Sequence, residues 1–343
     1  MIGYITAKPS VSRAFTDCLL KFASLYQVPF CVIRLENLLA YYEGASLRAQ
    51  TWIDHSVIDS DGISLPSCLD TESAFFVDKY MPYYAPGFLT WLRNNCQILM
   101  QHSIPKYQLP ALLTSNNMGL YAIPTWTVAS YSDLFRLFPI SKKLFLKPCS
   151  GRKGRGAIKA RVDEYNTVYL ENANGEHIVT EQLFNQLIKE NAQSKLGKLY
   201  LAQPCFDFSL DSSHAVDFRL LRHRGANGDW EDVATYARIG ASSLVSNVSQ
   251  GGFIADAKET LSIIAGAKAD ALYEEIMHIG NTLPKLIQEQ QDDPVFCLGL
   301  DIAIDHESLQ PYILEANTYP GTKFHKYQLA EKRVQFYRYL ANT

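Results

Sequence analysis

Two apolar stretches near the C-terminal end carry acids that a hydrophobic strand would not ordinarily hold: GLDIAID, Gly299 to Asp305, and YILEANTYPGT, Tyr312 to Thr322. Alternation would bury Asp301 and Glu315, and a buried carboxylate without a partner is costly, so a cation is expected beside them. Asn317 follows Glu315 by two residues and points to the same face of a strand. Hard oxygen ligands of this kind suit magnesium held between protein and phosphate oxygens. Ion pairs or hydrogen bonds with nearby arginines would also satisfy the two carboxylates, and spacing alone leaves that reading open.

A second group lies in LFLKPCSGRKGRGAIKA, Leu144 to Ala160. A strand ends in Lys147, small and basic residues follow, and the chain then returns to apolar sequence. Glycines let backbone amides approach phosphate closely, and the lysines and arginines supply charge. Gly151, Gly154 and Gly156 could equally form a plain hairpin turn. The segment lacks G-x-x-x-x-G-K-[ST], and strand-like sequence flanks it on both sides, so neither a P-loop nor a dinucleotide fingerprint fits.

The elements that must position these groups fall into three stretches. Ile2 to Thr6, the helical spacing of Phe15, Cys18, Leu19, Phe22 and Leu25, and the apolar run Pro29 to Leu35 form a strand, helix, strand unit, which implies a parallel sheet with a crossover helix. His55 to Asp59 adds a strand, and Phe75 to Pro86 reads as irregular. A first α/β lobe is therefore expected over residues 1–100. In the second stretch, 101–202, Lys106 opens a helical segment to Leu113, Lys143 to Pro148 and Leu199 to Pro204 are strands, and Glu181 begins a helix with Leu183, Phe184, Leu187 and Ile188 on one face. The third, 203–343, has strands at Asp217 to His223, Val233 to Arg238, Cys297 to Ile304 and Tyr312 to Ala316. Between them, Leu272, Ile276, Ile279, Leu283 and Leu286 mark a helix with a kink expected at Pro284.

The order of the pieces resembles the ATP-grasp superfamily: Lys106, then Lys147 with its glycine-rich loop, a hinge strand ending at Gln203, then Asp301, Glu315 and Asn317. The ending LEANTYPGT is similar to the corresponding end of D-alanine:D-alanine ligases and glutathione synthetase relatives. The block Val216 to Gly252 most resembles the YheC/YheD-like, spore-coat-associated group. The resemblance implies a three-lobed fold of α/β and α+β character: an N-terminal parallel α/β lobe, a central lid and a C-terminal mixed-sheet lobe.

It also implies roles. Lys106 and Lys147 would hold the α and β phosphates of ATP, and the loop from Ser150 through Gly151 and Gly154 to Gly156 would close over the β and γ phosphates. Gln203, Pro204, Cys205 and Phe206 would present backbone to the adenine, and Asp207 or Asp211 would take the ribose. Asp301, Glu315 and Asn317 would bind one or two Mg2+ ions. Arg219 and Arg238 would neutralise the transferred phosphoryl group. Asn247, with the amides of Gly251 and Gly252, would line the acceptor side. Either arginine could instead be an ordinary strand charge, and Asn247 a turn residue. Gly299 stands where the dipeptide ligases carry an arginine, which argues against a D-alanine substrate.

Composition is compatible with this reading. The chain has 343 residues, 47% hydrophobic and 20% charged, and a net charge of −3 with no basic block, which points away from nucleic acid and anionic membranes. Its seven cysteines show no metal-ligand spacing. With no apolar run of spanning length and no signal-like start, a cytoplasmic protein is expected. The implied reaction is ADP-forming ligation of a small-molecule or peptide carboxylate to an amine through an acyl phosphate. A small-molecule kinase on the same fold and a non-catalytic ATP-binding structural or regulatory protein are the alternatives. Oligomeric state, including a homodimer, is left open.

Overall fold

The computed structural model describes residues 1–6, 13–53, 56–71, 87–99, 101, 104–149, 156–172, 175–190, 199–211, 213–241, 246, 248, 251–292, 294–321 and 324–342. Three sheets follow one another along the chain.

The first begins with β1 (Ile2–Thr6), all five residues buried, and β2 (Phe30–Arg34), paired in parallel from Ile2↔Phe30 to Thr6↔Arg34 across helix α1 (Arg13–Leu25). After α2 (Leu35–Tyr42) come β3 (Ala49–Ile53), β4 (Ser56–Ser60), β5 (Cys68–Thr71), α3 (Phe88–Asn95) and β6 (Gln97–Leu99). The order is β4-β3-β2-β1-β5-β6. The expectation of a parallel sheet holds for β1, β2, β5 and β6, but β3 and β4 pair antiparallel at one edge. Only two residues separate them, far too few for a crossover helix. Phe75 to Pro86, read as irregular, lies outside the described residues.

The second sheet is antiparallel and comprises β7 (Trp126–Val128), β8 (Lys143–Pro148), β9 (Ile158–Val162), β10 (Val168–Asn172), β11 (Gly175–Ile178) and β12 (Tyr200–Pro204), ordered β11-β10-β9-β8-β12-β7. Ahead of it lies α4 (Leu109–Ser115), and α5 (Tyr131–Phe135) and α6 (Glu181–Glu190) belong to its core. Lys106 does not open α4; it sits in a turn, because Pro110 is tolerated only in a helix's first turn and so fixes the start at Leu109. On α6, Phe184 and Ile188 are buried and Leu187 is half-buried, but Leu183 is 53% exposed. Leu183 is rotated about 100° from Phe184, off the edge of the stripe that meets the sheet.

The third sheet contains β13 (Ser209–Asp211), β14 (His214–Arg224), β15 (Trp230–Ile239), β16 (Phe253–Asp256), β17 (Cys297–Ile304) and β18 (Pro311–Asn317). Its order is β16-β15-β14-β17-β18, with β13 beside β14. One face packs on α7 (Ala257–Ala265) and α8 (Ala269–Glu289) through Phe218, Leu220, Leu261, Ile276, Ile279, Leu283 and Leu300. Leu109 and Leu113 of α4 join this core, although they precede the second sheet in sequence. The α8 helix continues through Pro284 as a single element.

The other face of the third sheet meets α9 (Lys326–Asn342) and the first lobe. Leu221, Tyr236 and Phe296 pack there with Tyr4, Phe15 and Val334. Arg333 of α9 pairs with fully buried Asp70 at 3.3 Å, and the Tyr337 hydroxyl donates to the same carboxylate. Burial makes that ionic contact sensitive to loss of either partner. Among the described residues no helix is long and apolar enough to cross a membrane.

Candidate active site

Strand register places a charged row on the third sheet. Tyr236 on β15, Arg219 on β14, Asp301 on β17 and Glu315 on β18 stand opposite one another in succession, and Asp217 pairs with Arg238 two residues along. The period of two puts Asp217 and Arg219 on one face of β14. Arg219 donates from Nη2 to Asp301 Oδ2 at 2.8 Å and from Nε to Oδ1. Arg238 donates from Nε and Nη2 to the two oxygens of Asp217 at 2.6 and 2.7 Å, and Nη2 also lies 2.8 Å from Asp301 Oδ2. Ser246 Oγ donates to Asp217 as well.

Two guanidiniums and two carboxylates thus share a buried lattice of bidentate contacts. Burial alone would raise Asp301, but Arg219 and Arg238 overcome it and hold the carboxyl at about 2. At Asp217 burial prevails and pushes the carboxyl up, against the pull of an Arg238 that it shares with Asp301. Burial opposes the charge of both arginines too, yet their aspartates keep them above the ordinary value. The ion-pair reading of Asp301 is therefore what the structure contains, and Arg219 and Arg238 are internal partners rather than surface charges. Asp217 was overlooked in the sequence, although an acid two residues before Arg219 in the apolar run VDFRLL carries the same signal as Asp301.

Glu315 has a different environment. Burial pushes its carboxyl up, and the Asp301 charge opposite adds to that effect. Its counter-charge is Lys106 Nζ, 3.4 Å from Oε2, and a third of the Glu315 side chain remains exposed, 33%. From the second sheet comes Lys147, at the end of β8. Burial lowers its ammonium to about 8, with Lys106 pushing the same way and Glu315 opposing. Lys106, Lys147 and Glu315 therefore meet within electrostatic reach where the second and third sheets adjoin.

Asn317 lies opposite Gly299, and its Oδ1 accepts from Tyr319 N at 3.0 Å. A Cβ on Gly299 would come within 2.8 Å of Pro320 Cβ and 3.1 Å of Arg219 Nη1, so no side chain fits there without displacing Pro320 and crowding Arg219. A divalent ion would draw on Glu315 and Asn317 and would share Asp301, whose oxygens Arg219 and Arg238 already hold, completing its shell from phosphate oxygens and water. Among the described residues no three His, Cys, Asp or Glu side chains form a metal cage.

The hinge residues Gln203 and Pro204 end β12, where Gln203 Nε2 donates to Thr125 Oγ1 at 2.9 Å. Cys205 N donates to Lys143 O at 3.1 Å, and burial pushes the thiols of Cys205 and Cys149 up, away from nucleophilic character. Phe206 stacks on Tyr312 with centroids 4.3 Å apart, a flat apolar partner that the sequence did not single out. The Asp207 carboxylate accepts from Ser209 N at 3.1 Å, and Asp211 accepts from Ser213 N at 2.7 Å and His214 N at 3.0 Å while pairing with His214 Nδ1. Both ribose candidates are thus engaged in local turns. Gly156 has φ +75°, and a Cβ there would lie 2.9 Å from Pro148 Cγ, so only glycine returns the chain over the end of β8. Gly251 also has positive φ, at +97°. Ser150, Gly151, Gly154 and Asn247 lie outside the described residues.

A family model described as YheC/D like ATP-grasp matches residues 96–342. The endospore coat-associated protein YheC of Bacillus subtilis (strain 168) is 26% identical over 219 residues, covering 63% of this chain and 60% of that protein, so the chain spans about three fifths of the relative's length. Among solved structures, a biotin carboxylase complex from Campylobacter jejuni aligns with a TM-score of 0.59 at 10% identity, over 98% of this chain and 70% of the other. The ATP-grasp ligase PsnB, complexed with minimal precursor, Mg and ADP, aligns with a TM-score of 0.53 at 11% identity over 98% of each chain. D-cycloserine synthetase DcsG aligns with a TM-score of 0.51 at 14% identity, over 98% and 99%. These likenesses are of fold, and the three sheets form a multi-lobed ATP-grasp architecture. The chain belongs to the YheC/D-like ATP-grasp family.

Proposed function

We propose that this protein is an ATP- and magnesium-dependent ligase that activates a carboxylate as an acyl phosphate and joins it to an amine, releasing ADP and phosphate. The observation that carries the reading is the meeting of Lys106, from the turn before α4, and Lys147, from the second sheet, with Glu315 of the third sheet. Two half-buried ammonium groups beside a carboxylate suit an anion that brings its own counter-ion, which is what a nucleotide with a divalent metal supplies. The residues divide as 1–100 for the first lobe, 101–202 for the lid and 203–343 for the catalytic lobe.

In this reading the two lysines bind phosphate oxygens, and the backbone of Gln203 to Phe206 meets the adenine, with the Phe206 and Tyr312 rings beside it. Asp301, Glu315 and Asn317 would hold Mg2+, which supplies charge neutralisation as the phosphoryl group moves. Arg219 and Arg238, kept charged and fixed by two aspartates, stabilise negative charge on the transferred group without reorganising. Ser150, Gly151, Gly154 and Asn247 lie outside the described residues, and the phosphate role of the first three and the acceptor role of Asn247 are what the family resemblance implies. PsnB is described with a peptide precursor and DcsG as a D-cycloserine synthetase, so peptide and small-molecule carboxylates both belong in a substrate search.

Calorimetric titration with ADP, with and without Mg2+, tests the site. Wild-type protein should bind ADP more tightly with Mg2+, and Glu315→Gln should lose that enhancement while keeping its fold. Equal affinity with and without the metal in wild-type protein would overturn the assignment.

A further inference from the structure

Gln101 is fully buried at 0% exposure, two residues past the end of β6, and its side chain reaches into the third sheet. Oε1 accepts from Phe296 N at 2.8 Å and Cys297 N at 2.9 Å, at the start of β17. Nε2 donates to Thr318 O at 2.8 Å, just past the end of β18. The backbone N–H of Gln101 donates to the Tyr319 hydroxyl at 3.0 Å. The orientation of the amide is fixed by this set, because a flipped side chain would oppose donors to two N–H groups and an acceptor to a carbonyl.

The location gives these bonds their meaning. Pairing between β17 and β18 ends at Gly299↔Asn317, and the Gln101 amide spans the open end beyond that rung. Thr318 is 1% exposed and its own hydroxyl has no hydrogen-bond partner among the described residues, so Thr318 is held through its carbonyl. Tyr319, whose ring packs with the first lobe's core, donates its N–H to Asn317 Oδ1 at 3.0 Å. Gln101 therefore holds both Thr318 and Tyr319, the two residues that follow Asn317, and the Tyr319 N–H in turn reaches the Asn317 side chain. Partners of this kind orient a ligand without touching the ion.

We propose that Gln101 is a positioning residue for the metal site: it holds the ends of β17 and β18 so that the Asn317 side chain keeps its place beside Glu315. This inference rests on the nucleotide and metal reading of the site. It also makes the chain between the first lobe and the lid part of the metal site's support.

The test uses Mn2+ as the probe metal, with its uptake in the presence of ADP followed by electron paramagnetic resonance, and ADP affinity measured separately in EDTA. Gln101→Met removes every side-chain hydrogen bond at similar length, and Tyr319→Phe removes only the hydroxyl that Gln101 N–H reaches. The expected result is a rise of about tenfold in the Mn2+ concentration for half-uptake in Gln101→Met. Tyr319→Phe should shift it in the same direction by a smaller factor, with metal-free ADP affinity unchanged in both. Ile279→Val, in the core on the opposite face of the sheet, is the control and should lower the melting temperature without moving either constant. Wild-type Mn2+ uptake in Gln101→Met, or a loss of metal-free ADP affinity in step with it, would overturn the positioning role. If Gln101→Met does not fold, Tyr319→Phe decides: a shift supports the role and none overturns it. Wild-type protein that takes up no Mn2+ with ADP would overturn the nucleotide reading itself, and this inference with it.

Discussion

Lys147→Met should make the nucleotide-free protein more stable at pH 7. Burial lowers the ammonium from its ordinary 10.5 to about 8, so the folded state holds the charge at a cost. Each tenfold change in proton affinity corresponds to about 1.4 kcal/mol, which sets a ceiling of roughly 3 kcal/mol. Lys147 is only partly covered, and solvent screening reduces the expected gain to about 1–2 kcal/mol. Methionine keeps the aliphatic stem and removes the charge. The pH dependence has a definite sign: between about 8 and 10.5 the unfolded chain holds a proton that the folded chain has released, so wild-type stability rises with pH across that window. The advantage of Lys147→Met is therefore full below pH 8 and shrinks above it. Urea unfolding at pH 7 and at about pH 9.5 measures both values. Saturating Mg2+-ADP should reverse the order, because wild-type protein gains an anion beside Lys147 and the variant does not. A variant less stable than wild type at pH 7 without nucleotide would refute the reasoning.

The other charged residues make contrasting predictions. Arg238→Gln leaves Asp217, 3% exposed, without its guanidinium and should cost about 3–5 kcal/mol in urea unfolding, with part regained in Arg238→Gln/Asp217→Asn. A loss below about 1 kcal/mol would contradict the burial argument. Asp301 is lowered, so its contribution is complete above the ordinary 3.8 and lost as pH falls toward about 2; Asp301→Asn should destabilise the protein at pH 7 and flatten its acid titration there. Glu315 is raised, so its contribution is complete below the ordinary 4.5 and lost as pH rises through its folded value. Glu315→Gln should accordingly melt no lower than wild type at pH 7, and a clear drop would count against the repulsion between the two carboxylates. Gly156→Ala, at φ +75° and with Pro148 in the way, should lose about 1–3 kcal/mol by the same unfolding measurement.

Much of this site was legible because its chemistry interrupts hydrophobic periodicity. Asp301 and Glu315 stood out as acids in apolar strands, and register then placed them opposite one another. Lys147 stood out at the end of a strand, with glycines following it. The strands β1, β8 and β17 were read with their observed limits for the same reason: their apolar runs are short and end at polar or turn residues.

What escaped depended on contacts distant in sequence. The partners of Asp301 are 82 residues away on β14 and, for Arg238, on the next strand, and nothing local distinguishes an arginine bound to a buried aspartate from one left free. Gln101 looks like an ordinary polar residue after a short strand, and its role depends on Phe296 and Thr318, brought alongside only by the third sheet. The turn at Lys106 was read as helix because apolar spacing continues across it, whereas Pro110 sets the true start. The β3–β4 hairpin was missed as an antiparallel edge because both faces of β4 are open, so no alternating pattern marks it.

The central claim is carboxylate activation, and a hydroxylamine trap tests it most directly. Wild-type protein with Mg2+-ATP, pooled small-molecule and peptide carboxylates and hydroxylamine should release ADP and form a hydroxamate, as attack on an acyl phosphate at carbon requires. Both products should disappear in Asp301→Asn, with the folded state verified on the same sample. Release of AMP would indicate adenylation, and a stable phosphate ester without hydroxamate would indicate a kinase; either result would contradict the account.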